Sequence, residues 1–466
     1  MTSTPRVTII GGGLSGAAVA FHLLNSARPL DVSVIEPSPR IGPGLAFGAC
    51  ESYHLLNVPA GRMSLLPSDP NHFLRWLEGH RSAPLGHLVP PNLSPSSFVS
   101  RRLFGDYVAA SLDGAITAAS AVRFHHHRST AIGLALKDHV YRITLADGSG
   151  VESDFVVLAL GNIAPTTVHP ACHEIRHHPR YTHDIWSVPP WRNISPTERI
   201  LFLGTGLTMI DGALALARSG HSGEVIGLSR RGLLPAVHDV RGPAFPPIEL
   251  RIEKLKLRSL ISTVRGAIHT AQKEGIPWQA VLDSLRSRTP EIWSHLSLTD
   301  QRRFLRHIKS YWETNRHRLA PELYREIESL RCSGRLRIIA GNLARVRSVG
   351  ERFAIELRSR GSSSLEQLEV DRIINCTGPE GKLDRDTSPL FRTLFDAQLL
   401  ARDSLGFGLR ASPQGFVIND RGEVSSSLLT LGSLLKGSLW ETTAVPEIRV
   451  QAAAIGEAIR GRLGSP

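Results

Sequence analysis

Short apolar runs separated by turn residues dominate this chain. Val7, Ile9 and Ile10 read as a buried strand that breaks into Gly11-x-Gly13-x-x-Gly16 and then into a helix-like run, Ala17 to Leu24. A second strand-like run, Val32-Ser33-Val34-Ile35, ends at Glu36. The same pattern returns later: Ile200 to Leu203 predict a strand, Gly204-x-Gly206 a turn, Met209 to Ala217 a helix, and Glu224 to Leu228 the next strand. Tyr141–Leu145 and Glu152–Leu158, separated by Ala146-Asp147-Gly148, predict a hairpin. Strands at Phe155–Leu160 and Arg372–Asn375 end in the small-residue runs Ala159-Leu160-Gly161-Asn162 and Cys376-Thr377-Gly378-Pro379. Residues 165–197, rich in Pro and His, read as a linker. From about 250 to 335 the pattern turns helical: Leu305, Ile308 and Trp312 form a buried stripe, with Thr299 as expected N-cap and Asp300 in the first turn. A strand at Leu428–Leu431 precedes a last helix that starts near Pro446 and Glu447 and buries Ile448, Ala452, Ile455 and Ile459.

The spacing of the first glycine turn carries specific chemistry. A tight turn at Gly11, close backbone approach at Gly13 and helix–strand contact at Gly16 suit a pyrophosphate at a helix N-terminus, and Glu36 suits a ribose diol. A glycine-rich turn without ligand is the alternative. The second turn lacks the third glycine, with Met209 in its place and Gly212 as a compensating position. Its following strand ends in Ser229-Arg230-Arg231, which favours an adenosine 2′-phosphate and hence NADPH over NADH. Two such turns with different tips predict FAD at the first and a nicotinamide dinucleotide at the second. The fold class is therefore α/β, with two Rossmann-like dinucleotide-binding domains and a helical insertion. Residues 1–195 and 379–466 form a discontinuous FAD-binding domain, and 196–378 form the NAD(P)H-binding domain, with the insertion at about 250–335.

Composition narrows the partners. At 466 residues with 41% hydrophobic content, the chain supports two or three cores. The net charge of +12 comes from scattered arginines; lysines number seven. No nucleic-acid motif accompanies them, so the charge reads as a solvated surface that also attracts anionic cofactors and substrates. No apolar run is long enough for a membrane span, and the first apolar run belongs to the glycine turn and not to a signal peptide. Cys50, Cys172, Cys332 and Cys376 form no CxxC pair, which fits a reducing cytoplasm. His125-His126-His127 and His177-His178 lack a partner acid or cysteine at ligand spacing, so no metal site is expected. Arg306 to Arg318 interleave cationic and aromatic residues, as a solvated helix face or as a binding wall for a planar anion.

Several runs are more specific than the glycine turns. Gly44-Leu45-Ala46-Phe47-Gly48, His54-Leu55-Leu56-Asn57-Val58-Pro59-Ala60-Gly61-Arg62-Met63-Ser64, Asp69-Pro70-Asn71-His72-Phe73, Arg101-Arg102-Leu103-Phe104-Gly105-Asp106-Tyr107 and Leu439–Arg449 together resemble a bacterial family of FAD/NAD(P)-binding proteins. That family includes a FAD-dependent urate hydroxylase and an amino-acid N-hydroxylase, both NAD(P)H-dependent monooxygenases. The resemblance implies oxygen insertion into a small anionic metabolite, foremost urate to 5-hydroxyisourate, with amino-acid N-hydroxylation or flavin reduction without oxygen insertion as alternatives. It implies FAD contacts at Gly11, Gly13, Leu14, Ser15, Gly16, Glu36, Ala46, Asn57, Arg102, Thr443, Ala444 and Val445. NAD(P)H would meet Gly204, Gly206, Leu207, Arg230 and Arg231, and the substrate anion would meet His307, Trp312, His317 and Arg318. The chain departs from the pattern at Asn315, where His is usual, and at Met209.

Overall fold

The computed structural model describes residues 4–165, 168–185, 190–239, 243–379, 381–385 and 388–463. The apolar runs build two sheets. The first runs Phe416–Ile418, Val424–Thr430, Phe155–Leu158, Arg6–Ile10, Leu30–Ile35, Val122–His127, parallel except at the Phe416–Ile418 edge. The second runs Glu366–Val370, Arg352–Ser359, Leu336–Val349, Val225–Ser229, Ile200–Leu203, Arg372–Asn375, Tyr181–Thr182. Its last five strands are parallel, and its first three form an antiparallel ladder.

Both sheets follow one plan. In the first unit, strand, helix Leu14–Leu24 and strand lead into an excursion, a crossover helix at Arg101–Ala118 and a third parallel strand. A small antiparallel sheet follows, and Phe155–Leu158 then returns beside Arg6–Ile10. The second unit repeats this with helix Leu207–Arg218, a helical excursion, crossover helix Pro321–Cys332, and return strand Arg372–Asn375 beside Ile200–Leu203. The α/β class with two Rossmann-like units and a helical insertion therefore holds. After the second return strand the chain goes back to the first sheet, where Val424–Thr430 pairs with Phe155–Leu158, and helix Val445–Arg462 packs on Leu14–Leu24.

Local details differ from the sequence pattern for physical reasons. The expected Glu152–Leu158 strand divides into Gly150–Ser153, in the small sheet, and Phe155–Leu158, in the first sheet. Asp154 makes the corner, because its carboxylate accepts from the Arg6 backbone N–H at 2.8 Å and from the guanidinium at 2.9 Å. Tyr181–Thr182 already belongs to the second sheet, ahead of residue 196. Of the expected 165–197 linker, residues 166–167 and 186–189 lie outside the described residues. Helix Leu298–Arg303 is capped by Ser297, whose hydroxyl accepts from the Asp300 N–H at 3.2 Å, so Thr299 lies inside the helix. Phe304–Ile308 then widens into π-helix, and Leu305, Ile308 and Trp312 pack on Trp293, Phe304 and Trp440. Met209, which replaces the third glycine, is fully buried. Gly212, one turn on, lies close on the first strand, where an added Cβ would stand 2.8 Å from Phe202 Cζ. No helix among the described residues is long and apolar enough to cross a membrane.

An ion pair joins the crossover helix of the first unit to the first helix of the second. Arg101, in the first turn of its crossover helix, reaches Asp211 in helix Leu207–Arg218 with Nη1–Oδ2 at 2.5 Å and Nη2–Oδ1 at 3.2 Å, while its Nε donates to Leu55 O at 2.9 Å. The Asp211 side chain is 9% exposed. Arg101→Ala would leave that carboxylate buried without its partner and should lower stability by ~3–5 kcal/mol. Replacing both residues by Met and Leu should cost much less, because no charge is stranded. Chemical denaturation of the three proteins checks this, and equal losses would show that the pair is not what holds the units together.

Candidate functional site

The two glycine turns have the same construction. Gly11 (φ +102°) and Gly204 (φ +103°) end the first strand of each unit. A Cβ at Gly11 would lie 2.4 Å from Ala159 O, and one at Gly204 would lie 2.4 Å from Cys376 O. Gly11 N–H donates to Ile35 O at 2.9 Å and Gly204 N–H to Leu228 O at 2.8 Å. Each turn is thus closed on one side by the next strand and on the other by the chain crossing between units.

The residues expected to meet FAD gather at the carboxyl ends of the first sheet, with two outliers. Gly11, Gly13, Leu14, Ser15 and Gly16 form the turn and first helical turn. The Glu36 carboxylate accepts from the Gly12 N–H at 2.8 Å and from the Ser38 N–H at 2.9 Å, fixing it under the turn. A Cβ at Gly13 would meet only Gly44 Cα, at 3.7 Å. Space is therefore open above the helix N-terminus, as a pyrophosphate needs. Gly432, which follows the Val424–Thr430 strand, lies over Ser15. Thr443, Ala444 and Val445 lead into helix Val445–Arg462 beside this crevice. Ala46 is exposed on the short helix Gly44–Gly48. Arg102 is the first outlier: it is exposed and shares a small cavity of about 270 Å³ with Arg40, Phe47, Cys50 and Asp106. Asn57 is the second, because its carbonyl faces the helical excursion and accepts from His238 Nε2 at 2.9 Å.

At the second turn a cavity of about 470 Å³ is lined by Gly204, Gly206, Leu207, Arg230, Arg231 and His317. A Cβ at Gly206 would meet nothing within 4 Å, so this cradle is open too. Leu228 pairs with Leu203 as Ile35 pairs with Ile10, so Ser229 occupies the place that Glu36 holds in the first unit. Arg231 is occupied, with Nη2 donating to His307 O at 3.2 Å and the guanidinium 4.6 Å over the Tyr311 ring. Arg230 is exposed and makes no hydrogen bond or ion pair among the described residues. It is the free cation of the two.

The four residues expected around the substrate do not share a pocket. His307 is exposed. His317 lines the second-turn cavity, and burial pushes its imidazole below the usual range. Trp312 lines an apolar cavity inside the excursion, and its Nε1 donates to Glu441 Oε1 at 2.9 Å. Arg318 is 1% exposed and paired with Asp283 at 3.1 Å, with further bonds to Asn315 O and Gln279 O.

A third cavity, about 760 Å³, was not foreseen. The excursions of both units and the start of helix Val445–Arg462 form its walls, through Pro59, Arg62, His238, Asp283, Arg286 and Glu447. Trp440 directs the chain toward it in a strained γ-turn (φ +63°, ψ −65°), with Glu441 N–H donating to Leu439 O at 2.8 Å. Trp293 stacks on the Trp440 indole at 4.8 Å, and its own Nε1 donates to Gly437 O at 2.8 Å, so the excursion clamps this bend. The arginine-rich composition was visible in the sequence; the convergence of these segments had no local signal.

Comparison with known proteins adds a context. Residues 8–163 match a family model described as FAD-NAD(P)-binding. No curated protein matches the chain. Among solved structures, the ornithine N-hydroxylase of Kutzneria sp. 744, with reduced FAD, NADP+ and L-ornithine, is 14% identical with a TM-score of 0.66 over 99% of this chain and 100% of that one. L-lysine 6-monooxygenase from Pseudomonas syringae is 17% identical with a TM-score of 0.66 over 99% and 100%. Ornithine hydroxylase from Pseudomonas aeruginosa is 16% identical with a TM-score of 0.65, also over 99% and 100%. Identities this low establish the likeness of fold.

Two outcomes follow for the buried groups. Burial pushes the His238 imidazole down from 6.5 to about 4, against the opposing bond to Asn57 O. Below 6.5 the unfolded chain takes a proton that the folded chain refuses until about 4. His238 thus withdraws stability as pH falls through that window and has no effect above it. Denaturation midpoints from pH 7 to 4 should fall less steeply for His238→Asn than for the parent; parallel slopes would refute the assignment. Arg318→Ala should destabilise by ~1–3 kcal/mol, since Asp283 keeps Arg62 while the buried bonds to Asn315 O and Gln279 O are lost. Thermal melts test this directly.

Proposed function

We propose that this protein is a FAD-dependent monooxygenase that uses NADPH and dioxygen to hydroxylate the amino nitrogen of a small amino acid. The observation that carries the reading is the pair of open glycine cradles, one on each sheet, within a fold that runs end to end with amino-acid N-hydroxylases. Gly11 to Gly16 would hold the FAD pyrophosphate at the helix N-terminus, and the fixed Glu36 carboxylate would accept from its ribose. Gly204 to Leu207 would hold the nicotinamide dinucleotide, with Arg230 on an adenosine 2′-phosphate. Bound FAD supplies hydride acceptance from NADPH and activation of dioxygen. The protein contributes orientation and a cavity beside Ala444 and Val445 in which the substrate would sit.

Urate hydroxylation is the second reading. The runs around Asn57 and Leu439–Arg449 favour it by resemblance, and an arginine-rich cavity suits the urate anion. Both readings require oxygen insertion.

The deciding experiment reconstitutes the purified protein with FAD and follows NADPH oxidation, oxygen uptake and product mass with ornithine, lysine, aspartate and urate. One oxygen atom added to an amino acid supports the first reading, and 5-hydroxyisourate the second. Hydrogen peroxide alone with every substrate would sink both and leave a flavin reductase. Arg230→Ala should raise KM for NADPH ~10-fold or more, the loss of a charge-assisted hydrogen bond, while KM for NADH changes little. An equal rise for both cofactors would mean that Arg230 does not read the phosphate.

A further inference from the structure

The 760 Å³ cavity is lined by Arg62, Arg286 and Arg449, and the first two are already engaged. Asp283 is held by Arg62 and Arg318, each at 3.1 Å. Glu447 accepts from Arg286 Nε at 2.5 Å and Nη2 at 2.8 Å. Glu441 accepts from Trp312 and faces Arg316 at 3.3 Å. The remaining acid of the lining, Asp239, is not free either.

Arg449 is different. It lines the same cavity from the second turn of helix Val445–Arg462 and has no ion pair among the described residues. Its Nε is shut off from solvent without a hydrogen-bond partner, and Nη1 has only a long contact to Ser64 O at 3.4 Å. The half-buried side chain turns its Nη end to the cavity, where no carboxylate meets it and an anionic ligand can. Its planar fork matches two acceptors side by side. Ala444 and Val445, assigned above to the flavin, lie one turn earlier on the same helix.

We propose that Arg449 anchors the substrate, and that the substrate presents to it a planar, charge-delocalised anionic group with two adjacent acceptors. The site deepens the function proposed above and rests on it for the identity of the reaction. A carboxylate and the urate anion share this chemistry. The fork fixes the anionic end, so the rest of the ligand extends into the cavity beside the helix start.

The test pairs each anionic ligand with a counterpart that lacks the anion. Ornithine is compared with its decarboxylated diamine, and urate with neutral hypoxanthine, on the FAD-loaded parent, Arg449→Gln and Arg449→Lys. Binding is read by flavin absorbance changes and calorimetry, and KM and kcat are read where turnover occurs. The parent should prefer the member of one pair that carries the anionic group over the member that lacks it by ~30-fold or more, Arg449→Gln should lose that preference, and Arg449→Lys should keep part of it. Which pair shows the preference identifies the anion as carboxylate or urate. A purely structural role would weaken both members of a pair equally, and that result would overturn the proposal. So would a parent that binds neither anion. If Arg449→Gln does not fold, full preference in Arg449→Lys overturns the fork and partial preference supports it. Arg449-dependent binding without oxygenated product would keep the anion site and remove the monooxygenase reading; product formation with unaltered preference in Arg449→Gln would do the reverse.

Discussion

A backbone carbonyl occupies the space where a side chain would begin at Gly11, and another does the same at Gly204. Both carbonyls belong to the chain as it crosses between the two units, Ala159 in one direction and Cys376 in the other. The contact ties three things together. It seats the return strand beside the first strand, leaves the helix N-terminus open toward the ligand, and starts the crossing at the level of the nucleotide crevice. Any Cβ would push the crossing off, and with it the register of Ile10 to Leu158 or Leu203 to Asn375.

Duplication of one plan also explains where the third cavity forms. Each unit inserts its long excursion between its second strand and its crossover helix. The Arg101–Asp211 pair draws the units together at that point, and the excursions meet through His238 on Asn57 and Arg62 on Asp283. The C-terminal helix closes the remaining side with Arg286 on Glu447. Arg101–Asp211 and Arg286–Glu447 are largely buried and act as fixed spacers, whereas Arg62 remains exposed to solvent beside Asp283.

Much of this was legible in the sequence where the cause is local. The strands at Val7–Ile10 and Ile200–Leu203, both glycine turns, Glu36 and the final helix follow from apolar runs and from residues whose backbone demands are strict. The substitution at Met209 and the close helix–strand approach at Gly212 were visible too, because both lie on the helix that follows the turn. Thr299 in place of Ser297 as cap is an error of two residues in a region with several cap-forming side chains. The substrate residues were the hardest. His307, Trp312, His317 and Arg318 are close in sequence, yet π-helical widening at Phe304–Ile308 and the helix end at Arg316 turn them toward different surroundings.

The sequence by itself determined the two strand–turn–helix units, their order, and the difference between an acidic and a basic tip, because a strand–turn–helix is specified by neighbours within about thirty residues. Tertiary structure decided which charges are spent and which are left over. Arg230 and Arg231 are equal in the sequence, and only packing against His307 and Tyr311 occupies one of them. Arg318 and Arg449 are likewise interchangeable as letters. Asp283 reaches the first and no carboxylate among the described residues pairs with the second, since pairing depends on distances across segments that meet only when the two units and their excursions have closed.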